Sequence, residues 1–250
     1  MTYRIDSDIF CPYDTLLPIK NDVNIEDVWK DSEVDSIIQK KRLPILWFVT
    51  HCQTDSGREK HVNELRRYID VTQFGKCNDK ECDEKCENNQ IEEHFFYLSF
   101  ENSVCDDYIT EKFWRMKKLI VPIVLSRKAA ENIVPNQYFI ALDDFNNTFH
   151  LVENLQFLMK NTSLYKKYLS WYKYYKKTIT PFGKTLEDCF CRLCGRISKP
   201  STNQIMNIKE WWEDKAECKA YNTAQRSTVK FKSYSILCLL SLYLYGFYIE

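Results

Sequence analysis

Two short segments of this sequence concentrate residue types suited to an anionic ligand. The first is Thr50-His51-Cys52-Gln53-Thr54-Asp55-Ser56-Gly57-Arg58. Small hydroxyl residues, one glycine and an arginine at a helix start supply backbone N–H groups, hydroxyl donors and a planar cationic fork. Together they suit a diphosphate. The same residues also read as an N-cap at Asp55 or Ser56 followed by a solvated arginine, with His51 as a loop hydrogen-bonder. The second segment is Phe100-Glu101-Asn102-Ser103, then Asp107-Tyr108-Ile109-Thr110-Glu111-Lys112. Here Lys112 can neutralise a phosphate, Glu111 can accept sugar hydroxyls or face a developing positive charge, and Asn102 offers both donor and acceptor. The alternative is ordinary helix-start chemistry, with Glu111 near the positive end of the helix dipole.

These residues do chemistry together only if the elements carrying them are neighbours. Ile45-Leu46-Trp47-Phe48-Val49 is a continuous apolar run, as expected of a strand covered on both faces. Thr50 to Gly57 is then a loop, and Val62, Leu65 and Ile69 recur at helical spacing on a charged segment starting at Arg58. Further strands are expected at Val71–Phe74, His94–Phe100, Ile120–Leu125 and Tyr138–Leu142. Helices are expected around Asn24–Lys40, Ile109–Lys118, Thr148–Lys160 and Leu164–Lys177, while Gly75–Gln90 reads as a polar, cysteine-bearing insertion. Strands alternating with helices give an α/β class with a mostly parallel sheet. Both candidate loops leave the carboxyl ends of strands, where such sheets bind phosphates.

Composition narrows the field. The chain has 250 residues, with 35 basic and 35 acidic side chains and a formal net charge of zero, which argues against a dedicated nucleic-acid binder. Only five glycines occur, and neither a dinucleotide-type G-x-G-x-x-G loop nor a P-loop is present. Lys160–Lys177 interleaves six lysines with tyrosines and Trp171, which reads as a helix with an aromatic face and a solvated lysine face. Trp211-Trp212 has no functional reading at this level.

Eleven cysteines fall mostly in two clusters, Cys77/Cys82/Cys86 and Cys189/Cys191/Cys194, and suit disulfides or zinc ligands. Asn146-Asn147-Thr148 and Asn161-Thr162-Ser163 are sequons compatible with a secretory route. No signal peptide is visible at Met1. Tyr234–Ile249 is sixteen residues without a charge, short of the roughly 20 that a span needs, so it reads as a core or interfacial helix, with a short anchor as the alternative.

In order along the chain, a series of segments resembles the α1,3-fucosyltransferases of glycosyltransferase family 10. They are Tyr3-Arg4 with Asp6-Ser7-Asp8 and Pro12-Tyr13, Trp47-Phe48-Val49-Thr50-His51-Cys52 with Ser56-Gly57-Arg58, and Tyr68-Ile69. Gly75-Lys76-Cys77 and Phe96 to Ser103 follow, then Asp107-Tyr108-Ile109-Thr110-Glu111-Lys112-Phe113 and Val121 to Leu125. Val134-Pro135, Asp143-Asp144-Phe145 and Cys191-x-x-Cys194 complete the series. The block Phe-Glu-Asn-Ser…Tyr-Ile-Thr-Glu-Lys is the most specific of these.

The resemblance implies the Rossmann-like, donor-binding half of a GT-B glycosyltransferase. The organisation expected from it is a linker over 1–44, the GDP-fucose-binding domain over 45–196 and a divergent tail over 197–250, with the amino-terminal acceptor domain largely missing. It implies transfer of L-fucose from GDP-β-L-fucose, with inversion, to a hydroxyl of N-acetylglucosamine or glucose in a glycan of N-acetyllactosamine or N-glycan type. Arg58 and Lys112 would hold the diphosphate, and Asn102 and Tyr108 would contact the donor's phosphate and sugar. Glu111 would stabilise the oxocarbenium-like transition state, and Tyr97 would lie beside the guanosine. Thr50 and His51 replace the family's usual Ser-Asn pair at the donor. The family's general base is a carboxylate of the acceptor domain, to which no residue here is matched, so a non-catalytic GDP-sugar binder is the second reading and a cysteine-rich metal or redox module the third. No obligatory metal is implied, a divalent cation being at most stimulatory. Disulfides become the better reading of the cysteines, and the lumenal side of the Golgi membrane the expected location.

Overall fold

Leu43-Pro44-Ile45-Leu46-Trp47-Phe48 carries no charge and forms β1 (Leu43–Phe48). The computed structural model describes residues 1–180, 182–197 and 207–218, and places β1 inside a sheet of five strands. The others are β2 (Val71–Phe74), β3 (His94–Leu98), β4 (Val121–Val124) and β5 (Ile140–Ala141). All pairings are parallel, in the order β2-β1-β3-β4-β5. Ile45 lies opposite Val71 on one side and Phe96 on the other, and Phe96 opposite Val121. The chain first moves outward from β1 to β2 and then crosses to the other side at β3. The switch point is therefore between β1 and β3, where open α/β sheets hold their ligands at the carboxyl ends of the strands.

The helices are α1 (Asp31–Lys40), α2 (Arg58–Leu65), α3 (Glu84–Glu93), α4 (Thr148–Lys160), α5 (Thr162–Tyr168) and α6 (Phe182–Ile197). One sheet face buries Ile45, Trp47, Phe96 and Leu98 with Val62, Leu65, Leu151 and Leu155. The other carries a smaller cluster of Leu46, Phe74, Ile91, Tyr97 and Ile120. The aromatic side of 160–177 is core: Tyr165, Trp171 and Tyr172 are buried, and the Tyr165 hydroxyl donates to the Phe95 carbonyl at 2.7 Å.

Several expected elements differ. The helix expected over Asn24–Lys40 begins at Asp31, after a 3-10 turn over Ile25–Asp27, and the strand expected over Tyr138–Leu142 shortens to Ile140–Ala141. The polar insertion contains α3, started by Asp83 accepting from the Cys86 N–H; only Ile91 is buried on it, so no apolar stripe announced it. The helix expected from Ile109 begins at Phe113 as a tight 3-10 turn (Phe113–Lys118), because Thr110 is bonded to Glu101 instead. The helix expected over Leu164–Lys177 ends at Tyr168 and resumes as a short turn over Ser170–Lys173.

The cysteines form Cys11–Cys189, Cys52–Cys77, Cys82–Cys86 and Cys105–Cys218. The Cys189/Cys191/Cys194 cluster thus splits, with Cys189 reaching the amino-terminal segment and Cys191 and Cys194 exposed on α6. Among the described residues no group of three or more His, Cys, Asp or Glu is placed to hold a metal ion, and no helix is long and apolar enough to cross a membrane. Tyr234–Ile249 lies outside the described residues.

Lys41 makes stability depend on pH. Its ammonium is buried and donates to the Ile91 and His94 carbonyls at 3.1 and 2.8 Å, with no carboxylate in contact among the described residues. Burial pushes its pKa from 10.5 down to about 7, against a weaker pull from Glu92. Between these values the unfolded chain holds a proton that the folded chain lacks. Stability therefore rises with pH across that window, by up to about 1.4 kcal/mol per unit from this group, and its cost is greatest below pH 7. Urea titrations at pH 7.5 and 9 are expected to show this rise, and Lys41→Met to flatten it.

Candidate functional site

The loops after β1 and β3 meet at the switch point and are joined there. Ser56 donates its N–H to the Asn102 carbonyl at 3.0 Å and its hydroxyl to the Glu101 carbonyl at 2.8 Å. The β1 loop is tied on its other side by Cys52–Cys77, just beyond Gly75. Gly75 has φ +107°, and a Cβ there would lie 2.2 Å from the Val49 carbonyl oxygen, so only glycine lets the chain pass the end of β1.

Arg58 opens α2 at this junction. Its guanidinium donates to the Phe100 carbonyl at 2.7 Å and the His51 carbonyl at 2.8 Å, and the residue is 2% exposed. Instead of an open fork it is a brace between the two loops, with Nε buried and without a hydrogen-bond partner among the described residues. Burial pushes the guanidinium down from its usual range, against the pull of Glu101. Thr50 and His51 lie exposed on the same loop.

The second loop builds a compact ionic cluster. Lys112 Nζ is 3.0 Å from Glu101 Oε2, 3.0 Å from Glu111 Oε1 and 2.9 Å from Thr110 Oγ1. Glu101 Oε1 also accepts the Thr110 N–H at 2.9 Å and hydroxyl at 2.7 Å. Burial raises the Glu101 pKa, opposed by Lys112 and the Thr110 hydrogen bonds. Glu111 points outward, and although its partial burial works the other way, Lys112 holds its carboxyl below the usual range. Asn102 has a buried Oδ1 that accepts from nothing among the described residues. Tyr108 follows Asp107, whose φ of 62° turns the chain. Burial raises the Tyr108 phenol far above neutrality, so it stays a donor.

Ser99, Glu101, Ser103, Tyr108, Val124 and Ser126 line a small cleft at the ends of β3 and β4. Arg58, Asn102, Tyr108, Glu111 and Lys112 are thus on segments gathered at one edge. Tyr97 is not. It sits inside β3, fully buried in the smaller cluster, with the Arg115 guanidinium 5.2 Å from its ring. That burial conflicts with a place beside a nucleoside.

The role of Glu101 is not legible in its residue type, since nothing in a sequence shows which way a carboxylate turns. Ser56, an N-cap candidate in the sequence, instead joins the two loops, and Gly57 takes the N-cap position of α2. Replacing Glu101 by glutamine sets an amide N–H₂ or an uncharged oxygen against the Lys112 ammonium and removes a buried counter-charge. A stability loss of about 2–3 kcal/mol is expected, read from urea denaturation.

Comparison with known proteins places these features among relatives. The family description "Glycosyltransferase family 10 (fucosyltransferase) C-term" matches residues 38–212. Alpha-(1,3)-fucosyltransferase C of Drosophila melanogaster is 33% identical over 231 residues, covering 85% of this chain and 53% of that protein. Alpha-(1,3)-fucosyltransferase fut-1 of Caenorhabditis elegans is 34% identical over 191 residues, covering 70% and 42%. The chain therefore spans about half the length of the curated relatives it matches. A crystal structure of alpha1,3-fucosyltransferase with GDP-fucose superposes with a TM-score of 0.51 at 17% identity, over 74% of this chain and 61% of that one. At that identity the match establishes a shared fold.

Proposed function

The chain belongs to glycosyltransferase family 10 (fucosyltransferase), and we propose that it binds GDP-β-L-fucose at the β1/β3 switch point. It transfers fucose with inversion to a hydroxyl of N-acetylglucosamine or glucose in a glycan of N-acetyllactosamine or N-glycan type. The observation that carries this reading is Lys112, preset between Glu101, Thr110 and Glu111 at the carboxyl edge of a parallel sheet.

In this reading the Lys112 ammonium contacts the diphosphate, and the neutral Tyr108 phenol donates to a phosphate oxygen. Arg58, spent on two carbonyls, contributes its charge from behind and keeps the two loops together. Asn102 presents an acceptor that has no hydrogen-bond partner among the described residues. Thr50 and His51 border the donor from the β1 loop. As the acceptor oxygen attacks the anomeric carbon, the bond from that carbon to the phosphate oxygen breaks. Negative charge grows on GDP beside Lys112 while positive charge grows on the sugar ring beside Glu111, so both are stabilised where they develop. The acceptor's proton passes to a general base, a role to which we assign none of the described residues. The four disulfides among the described residues suit an oxidising lumen, and we place the protein at the lumenal side of the Golgi membrane.

Incubation with radiolabelled GDP-fucose and N-acetyllactosamine tests the reading. Label in the trisaccharide, released by an α-fucosidase that cleaves 1,3 linkages, is the expected result. Absence of both product and any thermal protection by GDP would overturn it.

A further inference from the structure

Three aromatic rings from distant parts of the sequence converge beside the Lys112 loop. The Tyr3 ring lies 4.9 Å from that of Tyr108, at 49°, and 5.4 Å from that of Trp212, at 64°. All three are half-buried. The segment carrying Trp212 is held in place by bonds of long range. Cys218 is bonded to Cys105, the Asp106 N–H donates to the Ala216 carbonyl at 2.9 Å, and Arg4 donates to the Trp211 carbonyl at 2.9 Å. Trp211 Nε1 donates to Asp6 at 2.9 Å, with the Arg4 guanidinium 4.7 Å from the Trp211 ring. On the opposite side the Ile5 N–H and Asn132 Nδ2 both bond Asp107, the residue before Tyr108, at 3.3 and 3.0 Å.

We propose that Tyr3, Tyr108 and Trp212 form a stacking wall for a pyranose ring of the saccharide acceptor. The inference rests on the site being a GDP-fucose site, and adds where the second substrate lies. A pyranose has one face rich in C–H groups, which meet the electron-rich face of an aromatic ring, and a rim of hydroxyls that stay hydrated. The wall borders the cleft through Tyr108, four positions before Lys112. It is unsuited to the diphosphate, because the electron-rich aromatic faces repel anions. It is unsuited to a purine sandwich as well, since rings inclined at 49° and 64° are not two parallel plates.

The test is saturation-transfer NMR on the full chain with N-acetyllactosamine in the presence of GDP, alongside the GDP-induced thermal shift. Wild type is expected to transfer saturation to the sugar ring protons. Trp212→Ala is expected to weaken disaccharide binding about fivefold, the loss of roughly 1 kcal/mol of stacking. Trp212→Phe is expected to keep most of it, and both variants to keep the GDP shift. Tyr3→Ala provides a second reading should Trp212→Ala fold poorly, with the same expected loss. The proposal is overturned if wild type gives no disaccharide signal, if Trp212→Ala and Tyr3→Ala leave it unchanged, or if the GDP shift falls in step with it. Failure of the donor-site reading is distinct: GDP then gives no shift in wild type.

Discussion

Replacing Lys112 by alanine is expected to weaken GDP binding by roughly 10- to 100-fold, the equivalent of one charge-assisted hydrogen bond of about 1.5–3 kcal/mol. The size follows from what surrounds the ammonium. Lys112 lies 3.0 Å from each of two carboxylates, Glu101 and Glu111, so removing it leaves two negative groups facing an incoming diphosphate. Lost attraction and exposed repulsion then act in the same direction. Its side chain is only 20% exposed and its three N–H donors go to Glu101, Thr110 and Glu111. A phosphate oxygen therefore takes the place of the exposed Glu111 carboxylate while Glu101 and Thr110 keep the ammonium ordered. Thermal-shift titration with GDP reads the effect as a displaced concentration dependence. An unchanged dependence would remove Lys112 from the donor site.

Asp14→Ala is expected to cost about 3–5 kcal/mol of stability, a large share of the roughly 5–15 kcal/mol typical of a folded domain. Asp14 and Lys117 are fully enclosed, with Nζ 2.7 Å from Oδ2, 2.8 Å from the Thr15 carbonyl and 2.9 Å from the Thr178 carbonyl. The pair joins the amino-terminal segment, the turn after Lys112 and the strand-like stretch leading to α6, and the Lys117 carbonyl also receives the Trp29 indole N–H at 3.1 Å. Alanine leaves an ammonium in the core facing the Thr15 and Thr178 carbonyls and the Trp114 ring, with no counter-charge in contact among the described residues. The double variant Asp14→Ala/Lys117→Met removes that stranded charge, so it is expected to be more stable than Asp14→Ala alone. Urea denaturation of the single and double variants measures both statements, and a loss below about 1 kcal/mol in Asp14→Ala would place the pair among interactions of no net weight.

How much of this was legible in the sequence follows from which residues are read by their own neighbours and which by distant ones. β1 and β3 declare themselves because a strand covered on both faces must be apolar throughout, as in Ile45–Phe48 and Phe95–Leu98. The polar loops leaving them, which carry Asn102, Tyr108, Glu111 and Lys112, follow at the carboxyl edge of the sheet for the same reason. α3 was hidden because it buries a single apolar residue, Ile91. The inward turn of Arg58 depends on carbonyls of residues 51 and 100, which no local pattern encodes. Tyr97 misled because an aromatic near a binding edge and an aromatic inside a strand look alike in sequence. Trp212 acquired meaning only through Cys105–Cys218, a pairing across 113 residues that spacing does not specify.

Calorimetric titration of the intact chain with GDP, GMP and guanosine tests the central claim most directly. If the β1/β3 edge grips a diphosphate through Lys112, GDP binds more tightly than GMP by at least about tenfold, GMP more tightly than guanosine, and the GDP advantage disappears in Lys112→Ala. Equal affinities for the three ligands, or a GDP preference that survives Lys112→Ala, would contradict the account.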